Sequence, residues 1–231
     1  MFRVLVVCTA NICRSPASAT LLRREFAAAG LSEVVTVESA GVAAVDGAPA
    51  CDLSSALVGE FVARHYAGQE PQEPNGNTHG SRRVTAELTA TADLILALDR
   101  SHRAALARLH PASRPRTFTL RQAAGLSEVV AGYTQAGRVP PGAPPLPELP
   151  EDRLRWWVAE LDAARGMTVA PASEDPPGLQ WHPDDVPDPH VVGYQVHGAA
   201  IELAEDAIVL LSSGVGRVVA ARSDGSAVSP P

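Results

Sequence analysis

Four consecutive aliphatic residues, Val4 to Val7, run into Cys8, and the chain continues Thr-Ala-Asn-Ile-Cys-Arg-Ser-Pro before a stretch of helix formers from Ala17 to Ala29. A short, wholly apolar run of this kind reads as a strand buried on both faces, which requires helices above and below it. Strand, loop and helix in immediate succession therefore commit the chain to an α/β fold. The loop narrows the choice further. Ser15-Pro16 suits the first turn of a helix, where the N–H that proline lacks has no intrahelical partner anyway. The loop amides and the helix dipole would then converge on one anion at the strand's end. Arg14, six residues after Cys8, adds a planar fork able to hold two phosphoryl oxygens. A cysteine is a strong nucleophile as its thiolate, a form that a helix N-terminus and a guanidinium both favour.

The bare spacing is weak: with three cysteines and 19 arginines in 231 residues, a Cys-x5-Arg pair arises by chance in roughly one chain in five. Its setting is what gives it weight. Cys13 and Cys51 carry Ala19 and Leu57 at the same offset, so the arginine follows only the cysteine at the strand end. Without these neighbours Cys8 would read equally well as a small buried hydrophobe.

Further along, strands are expected over Val34–Glu38, Leu94–Leu98 and Thr117–Leu120, with helices over Leu53–Arg64, Ser101–Leu109 and Leu154–Arg165 and a helical turn at Thr85–Thr89. The alternation predicts a three-layer α/β/α sandwich on a four-stranded parallel sheet, with right-handed crossovers and a ligand at the strands' C-terminal ends. One domain over residues 1–221 is expected, with a Pro/Gly-rich insertion at about 127–185 and a frayed tail at 222–231. Residues 70–82 read as a polar loop, and the Gly132–Pro150 stretch as an extended loop that either covers the rim of the site or is a decoration. Val196, Ala200, Leu203, Ala207 and Leu210 share one helical face, predicting a last helix packed on the sheet.

A net charge of −7 without any basic block argues against nucleic acid and anionic membranes as partners. An odd number of cysteines, two of them in the loop, fits a reducing cytoplasm, and the absence of a long apolar or signal-type segment predicts a soluble protein. His65, His79, His102, His110, His182 and His197 show no metal-ligand spacing with each other or with the cysteines, so surface or capping roles are expected, with no metal and no cofactor.

Cys8-Thr-Ala-Asn-Ile-Cys-Arg-Ser-Pro16 resembles the signature loop of low-molecular-weight protein tyrosine phosphatases. Glu38-Ser-Ala-Gly41, Ala92 to Arg100 and Val186-Pro-Asp-Pro189 resemble, in order, that family's second-strand turn, third strand and acid loop. The resemblance implies a protein tyrosine phosphatase acting on phosphotyrosine-containing proteins, in which Cys8 attacks phosphorus, Arg14 and the amides of Thr9, Ala10, Asn11, Ile12 and Cys13 hold the oxygens, and Asp188 is the general acid. Asp184 and Asp185 compete with Asp188 in sequence; the proline after Asp188 favours it. Asn11 tolerates left-handed backbone and can brace the loop, Ser15 can donate to Cys8 or simply cap the helix, and Ser39 resembles the residue that braces Asn11. In the family a cysteine at the Cys13 position protects the nucleophile through a disulfide. The chain departs from the pattern after Pro189, where His190-Val-Val-Gly193 replaces the family's aromatic residues, leaving His190 as the candidate for the substrate-side wall. A monomer is expected. Arsenate reductases of the fold need two further downstream cysteines where only Cys51 remains, arginine phosphatases carry threonine where Ile12 stands, and a non-catalytic phosphate-binding module would lack Cys8 or Asp188.

Overall fold

The computed structural model describes residues 1–66, 79–135, 137–167 and 182–221. Its sheet has four parallel strands in the order β2-β1-β3-β4, formed by β1 (Phe2–Cys8), β2 (Val35–Gly41), β3 (Leu94–Ala97) and β4 (Thr117–Thr119). The central strand explains the layering. Phe2, Val4, Val6 and Cys8 face one apolar cluster with Leu94 and Leu96, while Leu5 and Val7 face a second with Ile95, Ala97 and Leu106. Alternate side chains point to opposite faces, so a strand that is wholly apolar from Val4 to Val7 must be covered twice. Each fully buried Val or Leu contributes about 1.5–3 kcal/mol, which is why the two layers are obligatory for folding.

The first layer holds α1 (Arg14–Ala28), α5 (Leu120–Gln135), α6 (Pro150–Ala163) and α8 (His197–Ala220), with α2 (Asp52–His65) beside α1 and α8. The second holds α3 (Ala86–Thr91) and α4 (Arg100–Leu109). A short helix, α7 (Pro189–Val192), follows the Val186–Asp188 segment. The α/β/α sandwich expected from the alternation is the architecture found. After β2 the chain crosses to the other side of β1, and at such a switch point the loops leaving the strands diverge and open a crevice at their C-terminal ends.

Two readings of the insertion need correction. Helix α5 runs through Gly132 to Gln135, so the extended loop begins after it rather than at Gly132; a helix interior tolerates one glycine when its remaining residues pack, and Val130, Ala131 and Thr134 are buried. The segment from Ala143 to Arg155 lies far from any rim. Trp156 Nε1 donates to Pro144 O at 2.9 Å, Arg155 Nε lies 3.2 Å from Asp93 Oδ1 just before β3, and Glu151 meets the amino terminus at 3.9 Å, so this segment covers the strands' N-terminal ends, opposite Cys8. Helix α8 packs on α5 and α1, and its Ala200, Ile201, Ala204 and Ile208 lie in the same buried cluster as Val4, Val6, Leu94 and Leu96 of the sheet, as its apolar face predicted. Helices α8 and α5 touch at Gly214, where a Cβ would stand 2.1 Å from Ser127 Oγ, and Ser127 also accepts from the buried indole of Trp157 at 3.3 Å. The expected frayed tail and the Thr168–Trp181 stretch lie outside the described residues, as does most of the 70–82 loop.

Burial pushes the Glu205 carboxyl on α8 up to about 7, Glu202 and Asp206 adding to the shift and Arg64 and His65 opposing it. A carboxyl that binds its proton more tightly when folded contributes stability in full below its unfolded value near about 4.3 and loses it as pH rises through the folded one. The urea midpoint should therefore fall between about pH 5 and pH 8, and Glu205→Gln should flatten that window; an unchanged slope in the variant would contradict it.

Candidate active site

Cys8 ends β1 and pairs in register with Gly41, the last residue of β2. That pairing brings the two strand exits into contact: a Cβ on residue 41 would lie 2.5 Å from Thr9 O and 2.8 Å from Asn11 N, so only glycine lets the loop close over β2. Val42 N donates to Cys8 O and Ala43 N to Thr9 O, both at 2.9 Å, fastening the loop from outside.

Inside the loop, Asn11 has φ of +57°, the one non-glycine residue in the left-handed region among the described residues, and is fully buried. Its amide donates to Ser15 Oγ at 3.0 Å and to Ser39 Oγ at 2.8 Å, while its Oδ1 accepts from Arg82 N at 2.9 Å. These bonds hold the backbone where Asn11 N–H points at Cys8 Sγ, 3.3 Å away. Ser15 Oγ lies 3.0 Å from the same sulfur. Helix α1 starts one residue earlier than Ser15, with Cys13 at the N-cap position, so Ser15 is not a cap and its hydroxyl is turned to the sulfur instead.

Arg14 is 3% exposed yet bonded on every side. Nη1 donates to Asp99 Oδ2 at 3.2 Å and to Val186 O at 2.9 Å; Nη2 donates to Thr9 Oγ1 at 3.3 Å and to Asp188 Oδ2. Behind it stand Asp99 and His102, which no sequence spacing marks as part of the site. Burial holds His102 at a pKa of about 4 against the opposing pull of Asp99, so the ring is neutral at pH 7. Its Nδ1 lies 3.2 Å from Asp99 Oδ2 and its Nε2 2.9 Å from Thr9 Oγ1. Nδ1 makes no hydrogen bond despite that proximity, while Thr9 Oγ1 meets both the His102 ring and Arg14 Nη2. Burial would raise the Asp99 carboxyl, but His102, the Ser101 hydroxyl, the His102 N–H and Arg14 together hold it below the usual carboxylate range. His102, expected in a surface or capping role, is 1% exposed, and His79 also turns inward, its Nε2 2.6 Å from Asn11 O. Asp99 was readable as a polar residue leaving a strand at its C-terminal end, where ligands bind; His102 had no such signal.

Asp184, Asp185 and Asp188 separate clearly. Arg100 binds Asp185 through its backbone N–H at 2.9 Å and its guanidinium at 3.2 Å, and Asp184 turns back to His182, its N–H 3.1 Å from Nδ1. Asp188 alone of the three reaches Arg14. Val186 N donates to Leu98 O at 2.8 Å, tying this segment to the end of β3. Asp188 also caps α7, accepting from His190 N at 3.0 Å, which keeps one carboxylate oxygen fixed while the other faces the loop. His190 is exposed, and an aromatic residue from beyond the Asp-Pro pair joins it: Tyr194 meets it edge-on at 5.7 Å.

The sequence profile of the family described as low molecular weight phosphotyrosine protein phosphatase matches residues 3–128, more than half of the chain and the whole of the loop, Arg14, Ser39 and Asp99. The chain belongs to the low molecular weight phosphotyrosine protein phosphatase family. Among its relatives, the low molecular weight protein-tyrosine-phosphatase Etp of Escherichia coli K12 is 33% identical over 133 residues, 58% of this chain and 78% of its own. The corresponding phosphatase of Streptomyces coelicolor is 34% identical over 113 residues, 49% of this chain and 62% of its own. Solved structures agree on the fold. A family member from Vibrio cholerae O395 superposes with a TM-score of 0.56 at 20% identity, covering 92% of this chain and 95% of that one. The arginine phosphatase YwlE from Geobacillus stearothermophilus gives 0.53 at 23%, covering 92% of each. The family match stops before Asp188, so the standing of that residue rests on its contact with Arg14.

Proposed function

We propose that this phosphatase hydrolyses phosphotyrosine monoesters in proteins, with Cys8 as nucleophile, Arg14 as phosphate clamp and Asp188 as general acid and base. The observation that carries the reading is the convergence of Asp188, from 174 positions away, on the guanidinium of Arg14, which ends the loop begun by Cys8. Cys8 attacks phosphorus as the ester P–O bond breaks, and the Asp188 proton goes to the departing phenolate oxygen. The product is a phosphocysteine. Asp188, now a carboxylate, takes a proton from water as that water attacks phosphorus, and the Cys8 sulfur leaves with the bond's electron pair, releasing inorganic phosphate. Ser15 Oγ and Asn11 N–H, aimed at the sulfur, stabilise it as attacking and as leaving group. Arg14 and the amides of Thr9, Ala10, Ile12 and Cys13 hold the charge on the equatorial oxygens. A phosphoryl group seated there would compete with Asp188 for Nη2, turning the carboxyl toward the leaving group. His190 and Tyr194 supply the aromatic wall beside the substrate ring, in place of residues directly after Pro189.

Ile12 stands where the family's arginine phosphatases carry threonine, which favours an aryl ester over a phosphoguanidine. A panel of phosphotyrosine and phosphoarginine peptides tests this: kcat/KM should favour phosphotyrosine, and faster turnover of phosphoarginine would reverse the assignment. Asp188→Asn removes the acid, a contribution of about 10²–10⁴-fold, and should do so mainly for poor leaving groups. A plot of log kcat/KM against leaving-group pKa should steepen in the variant; parallel lines would move the acid elsewhere.

A further inference from the structure

Cys13, Cys51, His190 and His197 come from four separate elements: the phosphate loop, the residue before α2, α7 and the first residue of α8. Sequence spacing gave no hint of it, yet their ligand atoms, two sulfurs and two ring nitrogens, all lie within 4.8 Å of one another. His197, expected at the surface or as a cap, is instead 1% exposed.

We propose that these four residues form a zinc site that fastens the segment after Asp188 to the loop that carries Cys8. Tetrahedral zinc, with bonds of about 2.3 Å to sulfur and about 2.0–2.1 Å to nitrogen, sets ligand atoms about 3.3–3.8 Å apart. Cys51 Sγ and His197 Nε2 are already 3.7 Å apart. The outer contacts suit the same reading. His197 Nδ1 lies 2.9 Å from Tyr194 O, a bond that places the proton on Nδ1 and leaves the Nε2 lone pair facing Cys51. Ser54 Oγ lies 2.7 Å from Cys13 Sγ, able to donate to a bound thiolate. Tyr194 stacks on His197 at 5.1 Å and closes one side, while exposed His190 and half-buried Cys51 leave the ion a way in. Two thiolates with two imidazoles are a borderline-soft set that selects zinc over magnesium or calcium, which take oxygen ligands. Four protein ligands leave no position open for water, so the ion would be structural. It would tie α7, which Asp188 caps, to Cys13 and to the start of α2, whose Cys51 N donates to Ile12 O at 2.6 Å.

The test uses the full-length protein, stripped by chelator under reducing conditions and titrated with cobalt(II) and then zinc. One equivalent of cobalt should bind with the thiolate charge-transfer band and the intense visible bands of tetrahedral coordination, and zinc should displace it. Zinc should also raise the melting temperature. Cys51→Ser should weaken binding by more than about 100-fold and abolish the stabilisation, since loss of an outer contact alone costs up to that much. His197→Ala should do the same, with Cys51→Ser retained as the variant less exposed to folding failure. Cys8→Ser should bind as the unaltered protein does, which separates this site from the proposed nucleophile. Octahedral cobalt spectra without a sulfur band, binding that survives Cys51→Ser, binding that is lost in Cys8→Ser, or a Cys13–Cys51 disulfide in the freshly purified protein would each overturn the proposal.

Discussion

Replacing Cys8 by serine should lower kcat on p-nitrophenyl phosphate by at least about 10⁴-fold, the scale seen when a covalent nucleophile is removed. Every contact around residue 8 is arranged for a sulfur. Asn11 N–H approaches it at 3.3 Å and Ser15 Oγ at 3.0 Å, and the loop that sets those distances is braced by Asn11, Ser39 and Arg82. A serine hydroxyl keeps the shape but is a far weaker nucleophile at neutral pH, and Asp188 gives up a proton in this step rather than taking one. Because the surrounding bonds survive, the thermal midpoint should stay within a few degrees of the unaltered protein. Loss of activity through unfolding would show as a lowered midpoint, and activity within about 10-fold of the original would end the assignment of Cys8.

Arg14→Lys is the second large effect, and it separates charge from geometry. Lysine retains the positive charge but not the fork, and Arg14 uses its two terminal nitrogens on four partners: Asp99, Val186 O, Thr9 and Asp188. A single ammonium cannot satisfy them and also span two phosphoryl oxygens. Removing one donor to developing charge costs about 10²–10³-fold, so losing a bidentate pair should lower kcat/KM by roughly 10³–10⁴-fold. Inhibition by inorganic phosphate should weaken alongside. A variant within about 10-fold of the original in both measurements would mean that charge alone suffices.

The fold and the first half of the site were legible because their signals are local. Val4 to Val7 had to be buried on both faces, Pro16 marked the first turn of α1, and the loop between them contained the nucleophile, the clamp and the left-handed asparagine within seven residues. What could not be read depended on residues brought together by the crossovers. Asp99 and His102 sit behind Arg14 only because β3 pairs with β1, with Val7 opposite Ala97. The proline after Asp188 favoured it over Asp184 and Asp185, but its contact with Arg14 lay beyond the sequence. The Cys13, Cys51, His190 and His197 cluster draws on positions up to 184 residues apart, beyond any spacing rule. Whether the insertion covers the rim or decorates the fold stayed open for a simpler reason: proline and glycine mark irregular backbone but not which end of the sheet it covers, and Trp156 and Arg155 anchor it at the end away from Cys8.

The most direct test is a rapid acid quench of the protein mixed with a phosphorylated aryl substrate, followed by digestion and mass analysis. One phosphoryl group should appear on the peptide containing Cys8 during turnover, accumulate further in Asp188→Asn, and be absent in Cys8→Ser. A phosphoryl group on any other residue, or steady hydrolysis with Cys8 never modified, would contradict the phosphocysteine mechanism.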